Sequence, residues 1–408
     1  MDESFPGLFE AFGVELEYMV VDAATLQIRP IVDALLMAEA GELVSEIDCG
    51  LISWSNELAL HVLEFKTTEP ATEWGPLADG FQAQVRRANE LLMKLGARLM
   101  PTGMHPWMDP QRELNLWPHD YNPVYEAFHR IFDCRGHGWA NLQSVHLNLP
   151  FRDGEEFGRL HAAIRLILPL LPALAASSPV VERRVTGILD NRLDFYRRNA
   201  DRVPLVAAGV VPEAVFSPED YEHQILQRLY RQIAPLDPEG ILQHEWLNAR
   251  GAIARFDRQT IEIRVLDVQE CPAMDLALLG LVAGVLRKLV DQQWSRLAAQ
   301  QLVAQPMLEQ LFTRAVRYGR AAVVGDARFL AQFGWSGSEV CTVGQLWTYL
   351  ADQIDWPLPG QLELARLVLT QGSLSERIRD QLAAGATLES VYAQLCDSLA
   401  TGQPWRPN

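Results

Sequence analysis

The sequence predicts an α+β protein, in which a mixed sheet from the first two-thirds of the chain is packed by helices on one side and followed by a helical C-terminal portion. Three observations predict it. Segments of strict apolar–polar alternation, the period of a strand with one face buried, fall before residue 270. From Met274 onward the apolar residues recur at helical spacing. Over 408 residues the composition is 49% hydrophobic and 21% charged, enough apolar material for a large core.

The elements follow in order. Residues 13–22 read as a buried strand and 31–41 as a helix. Residues 59–67 are strand-like, with Leu63 and Phe65 on one face and Val62, Glu64 and Lys66 on the other. Pro76 sits near the start of a helix running to about Leu99, with Phe81, Val85, Ala88, Leu92 and Leu95 on its apolar side. Residues 101–124 hold Pro, His and Trp without periodicity, a long irregular loop of the kind that carries function. A strand at 144–150 precedes a helix from about Glu155 to Ala176, kinked at its prolines. Residues 177–215 form a polar stretch dense in arginine. A helix at 218–233 leads to a strand at 260–268, and the remainder is helical with a Pro-rich break at 356–360.

Three strands carry polar residues on one face. In 13–18, Val14, Leu16 and Tyr18 face a core while Glu15 and Glu17 stand together opposite. In 144–149, His146 opposes Val145 and Leu147; in 260–265, Glu262 and Arg264 oppose Ile261, Ile263 and Val265. Singly these patterns are common on solvated sheets, and Glu-x-Arg suits an ordinary ion pair. Together, on strands apolar enough to be central, they need pairing or a cation. With Glu64 they form an oxygen-rich donor set without soft sulfur, suited to Mg²⁺ or Mn²⁺. Glu57 joins Glu64 only if the chain bends between them or if Glu57 lies on the loop before the strand. Arg264 has the bidentate geometry for a phosphoryl oxygen.

The bulk properties exclude other classes. A net charge of −17 and the lack of any basic tract leave no broad surface for nucleic acid. Five cysteines, an odd number without metal-site spacing, point to reduced thiols in a cytoplasmic protein. The acidic N-terminal stretch has no apolar core of a secretory signal, and no apolar run reaches the length of a membrane span.

Five stretches in order carry a family resemblance: Gly13-Val14-Glu15-Leu16-Glu17; Glu57 with Leu63-Glu64-Phe65-Lys66-Thr67; Thr102 to Trp107 with Gln111-Arg112-Glu113; Val145-His146-Leu147-Asn148; and Thr260 to Asp267. A weaker sixth is Ala175 to Pro179, followed by Arg192. The chain resembles bacterial carboxylate–amine ligases of the glutamate–cysteine ligase family, related in fold to glutamine synthetase. The resemblance implies a curved, largely antiparallel sheet forming a metal-lined cavity. It implies a catalytic region at 1–300 with the helical portion 301–408 packed on it. Glu15, Glu17, Glu57, Glu64, His146 and Glu262 would bind two or three Mg²⁺ ions. Arg264 and Glu262 would act at the transferred phosphoryl group. Arg250, Arg255 and Asn148 would contact ATP, and His105, Trp107 and Arg192 the small-molecule substrates. One departure concerns the last strand, which is entered through Arg250-Gly251 and the longer connection Phe256 to Thr260.

The expected activity is amide formation from an amino-acid carboxylate and an amine, with ATP as co-substrate. Glutamate plus cysteine, a step toward glutathione, is the family's usual pair. A metal-dependent amidohydrolase and a non-catalytic binding protein are the alternatives. The apolar helices at 274–290 and 306–331 leave a homo-oligomer open.

Overall fold

The computed structural model describes residues 5–407. Eight strands form one sheet: β1 (Gly13–Asp22), β2 (Glu46–Asp48), β3 (Ile52–Asn56), β4 (Val62–Thr67), β5 (Ala97–Met100), β6 (Ser144–Pro150), β7 (Ala252–Arg255) and β8 (Thr260–Asp267). Their order is β2-β3-β4-β1-β6-β8-β7, with β5 paired to the far end of β1. Every pairing in it is antiparallel. The mixed sheet expected from the alternation alone is thereby corrected, and the antiparallel sheet implied by the family resemblance is the one observed.

One face is the core. Val14, Leu16 and Tyr18 of β1, Leu63 and Phe65 of β4, Val145 and Leu147 of β6 and Ile261 and Ile263 of β8 are fully covered. They pack in one cluster with helices α1 (Val32–Ala40), α2 (Gly75–Lys94), α3 (Asn122–Phe132), α4 (Gly154–Ile167) and α5 (Pro272–Val290). Further helices complete the C-terminal part, among them α6 (Gln305–Tyr318), α7 (Val343–Ala351), α8 (Pro359–Gln371), α9 (Leu374–Ala383) and α10 (Leu388–Thr401). Trp347 of α7 donates to the Leu170 carbonyl and Gln361 of α8 to that of Leu276. α9 and α10 cover the distal end of β1 and β5 through Ile378, Tyr392 and Leu395.

Boundaries differ from expectation where local backbone chemistry intervenes. α2 stops at Lys94 because Gly96 takes a left-handed φ of 69°, and residues 97–100 turn back as β5 instead of extending the helix to Leu99. The helix expected over 155–176 breaks at Pro169 into a 3₁₀ turn at 168–170 and resumes as Pro172–Ala175. The loop at 101–124 contains a helical turn at Pro110–Glu113 and the start of α3. Among the described residues, no helix is long and apolar enough to cross a membrane.

Candidate active site

The polar face of the sheet is built by cross-strand register. Directly opposed residues share a face. Ser55, Glu64 and Glu17 form one row over β3, β4 and β1, and Lys66, Glu15 and His146 form the next over β4, β1 and β6. Asn148 and Glu262, opposed across β6 and β8, form a third row on the same face. Glu57 lies just after β3, on the loop preceding β4, which answers how it can join Glu64.

The side chains converge on His146. Its Nδ1 lies 2.6 Å from Glu15 Oε2 and 3.6 Å from Glu262 Oε1, and its Nε2 is 3.7 Å from Glu17 Oε1. Two three-residue groups, Glu15/His146/Glu262 and Glu17/Glu64/His146, each bring one donor atom per residue within 4.8 Å of the others. Ser144 holds Glu17 with its backbone N–H at 2.7 Å and its hydroxyl at 3.0 Å. Asn148 donates to Glu15 at 2.9 Å and Ser55 to Glu64 at 2.6 Å. Arg264 grips Glu262 Oε1 through Nη2 at 2.5 Å and Nε at 3.0 Å.

Protonation follows the crowding. Burial disfavours the charged form of Glu15, but the hydrogen bond and charge of His146, with Asn148 and Arg264, bring its pKa down to about 2. Burial likewise opposes a charged His146, yet Glu15, Glu262 and Glu17 raise it to about 9. For Glu57, burial and the Glu17 carboxylate outweigh the charge of His146 and the Leu58 N–H and push it up to about 7. Glu64 is raised well above its ordinary value by burial and by Glu15 and Glu57. Five carboxylates thus face a few cations, and the excess negative charge fits hard divalent ions. The donor set, mostly oxygen with one imidazole nitrogen, suits Mg²⁺ or Mn²⁺.

A cavity of about 640 Å³ opens over this row, lined in part by Glu17, Glu57, Ser144, His146, Arg192, Arg255 and Arg264. Arg192 sits on the short helix Asn191–Tyr196. It is buried, with Nε 2.5 Å from Asp267 Oδ1 and Nη2 3.3 Å from the Arg264 carbonyl. Arg255 lies at the cavity edge, 3.9 Å from Glu262.

Three expected site residues stand apart. Arg250, just before β7, is buried, and its guanidinium donates to Glu213 at 2.6 Å and to the Leu205 carbonyl and Asn248 Oδ1 at 3.0 Å. Its guanidinium is therefore held by protein acceptors and does not line the cavity. His105 is fully buried, its Nε2 2.8 Å from the Leu26 carbonyl, and burial lowers its pKa to about 4. Trp107 packs between Arg183 and Tyr392 in the second core cluster. These two pack against each other beside Pro106, and neither is among the residues lining this cavity.

Other residues went unnoticed. Ser144 shares the face of His146 by simple period-two spacing, which would have found it. Asp267 is different. One extra residue bulges β8 between Ile263 and Leu266, so that Asp267, and not Leu266, shares a face with Ser144. Its carboxylate accepts from Ser177 N–H and Ser178 Oγ, each at 2.8 Å, besides Arg192. Gly103 is obligatory beside it, because a Cβ there would collide with that carboxylate. Tyr125, Trp139, Tyr196 and Trp246 complete the walls.

Comparison with known proteins places this geometry. The model of glutamate–cysteine ligase family 2 matches residues 11–331. An uncharacterized protein of Archaeoglobus fulgidus is 35% identical over 264 residues, covering 64% of this chain and 70% of that protein. A "Putative glutamate--cysteine ligase 2-3" of Rubrobacter xylanophilus is 26% identical over 395 residues, covering 95% and 96%. The crystal structure of glutamate–cysteine ligase from Francisella tularensis in complex with AMP superposes with a TM-score of 0.54 at 12% identity, over 98% of this chain and 89% of that one. The last is a likeness of fold. With its model matched over well more than half of the residues, the chain belongs to glutamate–cysteine ligase family 2, and its chemistry is that of a carboxylate–amine ligase.

Proposed function

We propose that the protein is an ATP- and Mg²⁺-dependent ligase that joins an amino-acid carboxylate to an amine, with a γ-glutamyl amide as the product class. The observation that carries the reading is the pair of donor groups sharing His146 with Arg264 at their edge. A carboxylate does not acylate an amine at neutral pH because oxide is a poor leaving group. Its oxygen attacks the γ-phosphorus of ATP, ADP leaves, and an acyl phosphate results. The amine nitrogen then attacks the carbonyl carbon, inorganic phosphate leaves, and the nitrogen loses a proton.

Glu15, Glu17, Glu57, Glu64, His146 and Glu262 would hold the magnesium, which supplies charge neutralisation at phosphoryl oxygens when bound. Arg264 would meet the transferred phosphoryl group. Its Glu262 contact sets its plane in advance, so no reorientation is needed when charge develops. Arg255, at the cavity edge, would serve the nucleotide; Asn148 would act through Glu15, which it holds. Arg192 would take a substrate carboxylate through Nη1, the nitrogen for which the structure gives no protein partner.

The test is ADP release by Glu15→Gln combined with Glu262→Gln. The expected loss is at least about two to three orders of magnitude; undiminished ADP release would show that the site is wrongly assigned. A metal-dependent amidohydrolase makes the opposite prediction, product without nucleotide.

A further inference from the structure

We propose that the amine substrate of this ligase bears an apolar, preferentially aromatic, side chain, seated against Leu58, Val62, Val124, Tyr125, Phe128 and Trp139. This rests on the ligase reading above and specifies one of its two organic substrates.

The cavity has chemically distinct ends. Its arginines are Arg192, Arg255, Arg258 and Arg264. All belong to the β7–β8 side: Arg255 ends β7, Arg258 lies in the β7–β8 turn, Arg264 is on β8, and Arg192 is tied to Asp267 of β8. Leu58, Val62 and Tyr125 belong to the other side, Val124 and Phe128 share α3 with Tyr125, and Trp139 bridges from Phe128 to the Asn199 carbonyl beyond the Arg192 helix. Leu58 and Val62 follow β3 and open β4, and Tyr125 of α3 accepts a hydrogen bond from Asn56 at 3.2 Å. β4 and β7 are four strand steps apart in the sheet order, roughly 19 Å at the usual spacing. A nucleotide triphosphate belongs at the arginine end. The donor row in the middle is where carboxylate and phosphoryl group meet. The amine must approach from the remaining end.

That end offers mainly apolar surface, and the carboxylate that borders it, Glu57, is already among the proposed magnesium donors. Phe128 and Trp139 lie with ring centres 5.3 Å apart, and Phe132 stacks on Trp139 from behind at 5.5 Å. The polar atoms of the wall are already engaged: Trp139 Nε1 donates to the Asn199 carbonyl at 2.8 Å, and the Tyr125 hydroxyl receives Asn56. A side chain ending in a carboxylate would be desolvated against these rings and would face Glu57, and one ending in an ammonium would compete with the proposed cations for that carboxylate. A thiol would leave most of the wall uncovered. Selection here works by apolar contact area.

The experiment measures ADP release with Mg²⁺–ATP, glutamate and one acceptor at a time: 2-phenylethylamine, phenylalanine, cysteine, aspartate or lysine. The expected result is a kcat/KM for the aromatic acceptors about tenfold or more above that for cysteine, with aspartate and lysine lowest. Phe128→Ala should collapse the aromatic-to-cysteine ratio toward one. Val124→Lys, on the half-buried side of α3, should raise aspartate relative to 2-phenylethylamine and stands in should Phe128→Ala not fold. A preference for cysteine, or an unchanged ranking in both variants, overturns the acceptor assignment while leaving the ligase intact. Absence of ADP release with every acceptor overturns the ligase reading with glutamate, and this assignment with it.

Discussion

Asp267 shows how much a single side chain carries. Fully buried, it holds Arg192 and is itself fastened by Ser177 and Ser178. Asp267→Asn should cost about 3 kcal/mol in urea unfolding, the scale for breaking a buried ion pair. It should also raise KM for the carboxylate substrate more than it lowers kcat, because Arg192 loses its aim. The raised carboxylates lead to a second expectation. Glu57, raised to about 7, and Glu64, raised well above its ordinary value, are shifted toward their protonated forms in the ion-free protein. Mg²⁺ must expel the protons, so binding should release them and tighten between pH 6 and 8. Calorimetry in two buffers of different ionisation heat reads this directly, and heats independent of buffer would contradict it. The donor row was legible from the sequence because period-two alternation survives on β1, β4, β6 and β8 up to the bulge. Asp267 was not, because the extra residue reverses parity beyond Ile263. The burial of His105 and Trp107 away from the cavity was not legible, since a fully buried ring and a solvent-facing one leave the same trace in a Pro-rich loop.

At the scale of elements, helix ends and short strands were the obscure part. β2, β3, β5 and β7 are 3, 5, 4 and 4 residues long, too brief for an alternation to declare itself. Ser53 and Ser55 flanking Trp54 in β3 were the available sign. α2 was seen, but its apolar stripe runs on through Leu95 into Leu99 of β5, and only Gly96 separates helix from strand. Gly96→Ala should therefore cost about 1 kcal/mol by denaturant unfolding, since alanine is strained at positive φ. A cost near zero would mean that the α2–β5 turn is set by the flanking pairing instead.

Across the whole molecule, the C-terminal helices are bolted to the sheet and do not form an independent body of contacts. Arg377 of α9 is buried against Glu270, just past β8, at 2.8 Å, and also donates to the Trp405 carbonyl at 2.6 Å. Arg377→Met alone should cost about 3–5 kcal/mol by stranding Glu270, and Arg377→Met with Glu270→Met should recover most of it. Three fully buried histidines set the response to acid. Burial lowers His61 and His161 to about 3 and His105 to about 4. These values lie below the unfolded value of about 6.5, so the unfolded chain takes up protons first. Their stabilising share is complete above about pH 6.5 and is lost as pH falls toward 4 and 3. At pH 5.5 each should cost about 1.4 kcal/mol relative to pH 7.5, and His161→Phe should remove one such share from the shift in urea midpoint. The segregation of strands from walls has a last consequence. The donor row proposed for cations is written into paired backbone, where any slip of register would disable it, whereas the aromatic lining hangs on α3 and on the short helix His137–Ala140, outside the ladder. Descendants of this gene are free to exchange one amine for another by redecorating that rim, with the energy-coupling machinery inherited unchanged.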